Sequence, residues 1–133
     1  MRKTAHIFLI VFSLLLLLQC KPEGKALHKQ LNRMALDLNE SAPVMLNSHI
    51  RFEGASVLSD NVFQYRYTVL NTDNPDSLVQ SGLPLLRETI RSEYGTKPQL
   101  RVFKEKNVVV EYVFASEENR IIHSLRVNPE EYK

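Results

Sequence analysis

Twelve residues, Ile7 to Leu18, are apolar but for Ser13, and the run ends two residues before the chain's single cysteine, Cys20. No other feature constrains the fold as much, because it decides which residues are available to fold. A helix that crosses about 30 Å of hydrocarbon at about 1.5 Å per residue needs about 20 apolar residues, so this run is too short to span. Arg2 and Lys3 precede it, and Lys21-Pro22-Glu23-Gly24 follow it. Pro22 disfavours a helix continuing through Lys21. A basic start, a short apolar middle and an abrupt polar exit are the layout of an export signal. The expectation is that residues 1–19 are removed, leaving 114 of the 133 residues, enough for one domain and too few for two.

The tetrapeptide Leu17-Leu18-Gln19-Cys20 resembles a lipobox, the site at which bacterial lipoprotein precursors are lipidated and cut. That family places a branched aliphatic residue three before the cysteine, where this chain has Leu17. It prefers Gly, Ala or Ser just before the cysteine, and Gln19 departs from that. The resemblance covers the first twenty residues. It implies that Cys20 becomes the acylated first residue of the mature chain and that membrane lipid is one partner. Because Lys21 is not acidic, it also favours the outer membrane within the cell envelope. Firm anchoring takes more than one acyl chain, at about 0.8 kcal/mol per buried methylene. From the residues alone, a lone cysteine forms no internal disulfide; an ordinary secretory signal before a free thiol and an uncleaved anchor are the alternatives.

The chain has 17 basic and 15 acidic residues, and setting aside Arg2 and Lys3 leaves a formally neutral remainder. A neutral domain lacks the cationic excess that drives binding to phosphate backbones, so nucleic acid is not an expected partner.

Residues 20–25 read as a lipidated tether and 26–133 as one domain. From Ala26 to Asn39, Leu27, Leu31, Met34, Ala35 and Leu38 form one helical stripe. Strand alternation follows in SHIRFEGASVL, interrupted at Gly54 as at a bulge, and again in VFQYRYTVLN, so residues 48–71 predict a hairpin. A second helix is expected from Asp76 or Ser77 to Tyr94, with Leu78, Gly82, Leu85, Leu86, Thr89 and Ile90 towards the core and Pro84 awkward inside it. QLRVFKEK suggests a short helix. NVVVEYVFA predicts a central strand buried on both faces, Arg120 to Val127 a further strand, and the tail NPEEYK an exposed end. The expected fold is therefore α+β in the order α-β-β-α-β-β: an antiparallel sheet of about four strands with two main helices on one face.

Chemistry is sparse in this pattern. His28, His49 and His123 are too far apart in sequence to form a metal motif, no serine sits in a nucleophile elbow, and the scattered glycines cradle no phosphate. No catalytic residue, metal or cofactor is expected. The candidate binding face is polar: Gln64, Arg66 and Thr68, with Arg51 and Glu53 across the hairpin, would stay open if both helices cover the other side. Tyr65 and Tyr67 fit either core packing or a partner surface. The favoured function is a non-catalytic envelope module that binds a protein partner as a scaffold or assembly factor. One alternative is an inhibitor or immunity-type protein presenting the 116–119 turn. Another is a small hydrolase or ligand-binding enzyme using His49 and His123.

Overall fold

Period-two alternation and turn-forming asparagines organise the strands, and the computed structural model describes them within residues 22–133. The expected export signal, Cys20 and Lys21 lie outside the described residues. The elements are α1 (Pro22–Asn39), β1 (Val44–Met45), β2 (Ile50–Val57), β3 (Phe63–Val69), α2 (Pro75–Thr96), α3 (Arg101–Glu105), β4 (Val110–Ala115) and β5 (Ile121–Val127). Short 3-10 turns occupy Pro98–Leu100 and Pro129–Glu131. Asn61, Asn71, Asn107 and Asn119 all have left-handed backbones, which asparagine tolerates better than other non-glycine residues.

The strands form one sheet in the order β1-β2-β3-β4-β5. The α+β class and the element order hold, with two differences. A two-residue edge strand, β1, joins the expected four, pairing Val44 with Phe52. The sheet is also mixed: β3 and β4 run parallel, with Phe63 opposite Val110 and Thr68 opposite Ala115. A parallel pair needs a long crossover, and α2 and α3 supply it. Hairpins make the remaining pairs antiparallel.

Both main helices cover the same face. Leu31 and Ala35 of α1, Val79, Ile90 and Tyr94 of α2, and Phe103 of α3 share one buried cluster with Phe52, Phe63, Tyr112 and Leu125 of the sheet. Aromatic rings dominate it. Phe103 meets Phe63 and Tyr94 edge-on at 5.1 and 5.2 Å, and Tyr65 stacks on Tyr112 at 4.9 Å, within the favourable range for aromatic pairs.

Helix α2 begins earlier than the sequence suggests, because Asn74 accepts a hydrogen bond from the Ser77 N–H at 3.1 Å and Pro75 starts the helix. It runs through Pro84. Its buried positions are Val79, Ile90 and Tyr94, whereas Leu85 is 69% exposed and Gly82 and Thr89 face water. The expected stripe was rotated because it followed the leucines of LPLL, only some of which point inward. Pro22 to Lys25, read as tether, are the first turn of α1; proline is well suited to the start of a helix.

The bulge falls where Gly54 marks it, with a register shift between Phe52 and Gly54. Gly54 has φ +146°, and a Cβ there would lie 2.9 Å from Asn39 Oδ1. The Asn39 side chain pairs with the Ala55 backbone, accepting from its N–H at 2.7 Å and donating to its carbonyl at 2.8 Å. The end of α1 is thereby fastened to β2. The tail is not exposed as expected: Tyr132 is 1% exposed, and its hydroxyl reaches the carbonyls of Phe103, at 3.1 Å, and Val108.

Candidate functional site

The face opposite the helices carries the polar positions read from the sequence. β3 sends Gln64, Arg66 and Thr68 there, and antiparallel pairing sets Arg51 beside Thr68. The bulge adds Glu53 to the same side. Arg51, Glu53, Arg66 and Thr68 line a depression of about 220 Å³, closed towards the β4–β5 turn by Glu117 and Asn119. Gln64 lies lower, donating to Glu111 at 2.7 Å.

Two of the charges in this depression satisfy one another. Arg51 donates to Glu53. Partial burial on its own would raise the Glu53 pKa, but hydrogen bonds from Arg51 and Thr68, with the Arg51 charge, outweigh it and hold the carboxyl below its usual value. Folding therefore favours ionised Glu53. The associated stability is complete above the ordinary value of 4.5 and fades as pH falls through the lower folded value. Glu53→Gln should thus have a lower urea midpoint than the parent near neutrality and converge on it in acid. Parallel midpoints across that pH range would show that the pair contributes nothing.

A second depression, which the sequence did not announce, opens on the helix side. α1 forms one wall and residues 98–105 the other, with Phe63 and Tyr65 of β3 as the floor, enclosing about 570 Å³. Met34 and Leu38 of α1 face Leu100 and Val102 across it. Leu38 is 38% exposed, although it belongs to the helical stripe that reads as core. The stripe is wider than the surface α1 buries, and its surplus lines the groove. That width was the available signal. Tyr65 packs against the core, where its hydroxyl accepts from Tyr94 at 3.2 Å, and its ring floors the groove. Burial raises the pKa of the Tyr65 hydroxyl and raises that of Tyr94 well above the usual value, so both stay protonated as hydrogen-bonding groups.

The histidines do not converge. The ring of His28 bonds Asn61 at 2.7 Å near the start of α1. His49 precedes β2 and bonds the Leu70 carbonyl at 3.1 Å, while His123 lies on β5, opposite Phe114. β3 and β4 separate β2 from β5, a span of about 14 Å at about 4.8 Å per strand. A shared His49–His123 site is therefore not assembled. Among the described residues no group of three or more His, Cys, Asp or Glu side chains is placed to hold a metal, and no helix is long and apolar enough to cross a membrane.

No family model matches the chain, and no curated protein matches it in sequence. Solved structures do match in shape. A Pseudomonas aeruginosa protein described as secreted superposes with a TM-score of 0.71 at 15% identity, over 86% of this chain and 99% of its own. The pilotin EpsS of the Vibrio vulnificus type 2 secretion system gives 0.62 at 13% identity, over 83% and 94%. The pilotin AspS of the Vibrio cholerae type II secretion system gives 0.58 at 10%, over 81% and 94%. The fold is shared with secretion pilotins. At such identities the likeness is one of architecture, and function has to be argued from the chain's own surfaces.

Proposed function

We propose that this chain is an envelope lipoprotein, anchored through acylated Cys20, whose domain is a non-catalytic assembly module that seats an amphipathic helix of an envelope partner in the groove between α1 and α3. The observation that carries the reading is the groove itself: an apolar floor of Phe63 and Tyr65 between two helical walls, on a fold shared with pilotins. Helices present stripes of apolar residues that fill such channels. Of the charged residues that line it, Asp37 on one wall and Glu105 on the other outnumber Arg101, which lies 4.0 Å from Glu105, so the lining carries one net negative charge. The complementary occupant has an apolar stripe flanked by Lys or Arg, and charge of that sign also speeds encounter. The polar face around Arg66 is the competing surface.

The test is crosslinking and co-purification from the native host with parent, Leu38→Asp and Arg66→Ala chains. Leu38 is exposed enough for aspartate to be tolerated in the fold, which an unchanged urea midpoint would verify. Recovery of one envelope protein should fall at least about tenfold with Leu38→Asp, equivalent to about 1.4 kcal/mol, and hold with Arg66→Ala. Deleting an amphipathic helix from that partner should have the same effect. Loss with Arg66→Ala alone would move docking to the polar face, and loss with neither would dismiss both surfaces. Mass spectrometry of the mature N-terminus checks the anchor; a bare Cys20 thiol or an intact Met1 would refute it.

A further inference from the structure

Formal neutrality conceals a separation of charge along the strand axis. One end of the sheet is defined by the β2–β3 turn. β4 starts at this end because it runs parallel to β3, and β5 finishes here because Val127 lies opposite Val110. Direct bonds tie the segments together. Asn61 of the turn donates to the Gly24 carbonyl at 3.2 Å and bonds His28 at 2.7 Å. Phe63 N–H donates to the Val109 carbonyl at 3.0 Å, and the Tyr132 hydroxyl reaches the Phe103 and Val108 carbonyls. The first turn of α1, the turn at 58–62, residues 97–109 and residues 128–133 therefore share one end.

That end carries Lys25, Lys97, Arg101, Lys104, Lys106 and Lys133 against Glu23, Asp60, Glu105, Glu130 and Glu131. Lys97 pairs with Glu93 within α2, and Glu131 is taken up by Arg87. Lys25, Lys104, Lys106 and Lys133 are exposed and form no ion pair among the described residues. The opposite end, made of residues 46–49, 70–76 and 116–120, carries Asp73, Asp76, Glu117 and Glu118 against Arg120 alone. Arg120 is engaged by Asp76 at 2.9 Å. The first end has one more basic than acidic residue, and the other has three more acidic than basic.

The basic end is also where the chain leaves the described domain towards Cys20. α1 starts at Pro22, two residues after the cysteine, and its first turn is fastened to the β2–β3 turn through Asn61. Two residues span at most about 7 Å, so an acyl group on Cys20 would hold this end within a side chain's length of the lipid.

We propose that the lysine-bearing end seats directly on anionic phospholipid headgroups, with the acidic end directed away, so that the anchor and the charge separation together fix the domain's orientation on the bilayer. Attraction at one end and repulsion at the other act in the same sense, and both are screened within about 8 Å at physiological salt. The groove wall formed by residues 98–105 adjoins the seated end, so a partner helix would meet the groove close to the membrane. The anchoring part of this proposal rests on the lipoprotein reading; the seating does not.

Amide hydrogen exchange tests it on mature protein purified from the host. Parent protein is mixed with phosphatidylcholine vesicles, with and without phosphatidylglycerol, and compared with Lys25→Gln/Lys104→Gln/Lys106→Gln and with Arg33→Gln/Arg66→Gln/Arg120→Gln, which removes equal charge elsewhere. Phosphatidylglycerol should slow exchange several-fold at 58–62 and 104–109 and leave 70–76 and 116–120 unchanged. High salt and the lysine variant should abolish the effect, and the arginine variant should keep it. Protection at the acidic end, or none specific to phosphatidylglycerol, would overturn the seating. A bare Cys20 in the same preparation removes only the anchor, so the two failures are distinguishable.

Discussion

Tyr132→Ala should lower the stability of the domain by about 3–5 kcal/mol, the range for truncating a buried aromatic residue, although the residue lies near the end of the chain. Tyr132 is 1% exposed, packs on Tyr94 at 5.0 Å and places its hydroxyl between the Phe103 and Val108 carbonyls. Burial first, and the Glu130 charge second, push its pKa up to about 12, so the hydroxyl keeps its proton. Tyr132→Phe removes that donor and keeps the ring, and should cost about 1–2 kcal/mol. Against a total of about 5–15 kcal/mol for a small domain, the first loss is a large fraction and the second is tolerable. Urea denaturation of the three proteins measures both. An alanine variant within about 1 kcal/mol of the parent would show that the tail only decorates the core.

The second large effect is expected from Gly54→Ala, at about 2–4 kcal/mol. Gly54 adopts φ +146°, where a side chain strains the backbone by about 1–3 kcal/mol. The new methyl also meets Asn39 Oδ1 at 2.9 Å, which threatens two hydrogen bonds to Ala55 worth about 1 kcal/mol each. A double-mutant cycle separates the terms. Asn39→Ala removes the obstacle, so Gly54→Ala should cost less in that background than in the parent, and the difference reports the contact. Strict additivity would mean that backbone strain alone is responsible.

Local pattern was legible where neighbouring residues decide it. The stripe of α1, the hairpin at 48–71 with its break at Gly54, the short helix before β4 and the two-sided burial of NVVVEYVFA all follow from periodicity and glycine placement. Partnering was not legible. Alternation in VFQYRYTVLN and NVVVEYVFA says which residues share a face, yet nothing in either run states that the two strands lie side by side in the same direction. β1 has no sequence signature because two residues show no period. The burial of Tyr132 has no local signal because Asn128, Glu130, Glu131 and Lys133 surround it. The polar positions Arg51, Glu53, Arg66 and Thr68 were readable as a shared face, since strand parity sets that. The groove was not, because it depends on how far apart α1 and α3 sit over β3.

The parallel pairing of β3 with β4 bears on when the chain can acquire its structure. Gln64 and Glu111, bonded across that pair, are 47 residues apart, and contacts of such separation form late because loop entropy has to be overcome first. The opening hairpin can form early, but its aromatic face stays uncovered until Tyr94, Phe103 and finally Tyr132 arrive. A nascent polypeptide that lacks Tyr132 is therefore without part of its native core. That delay defers compaction of the aromatic face until the segments that cover it have been made.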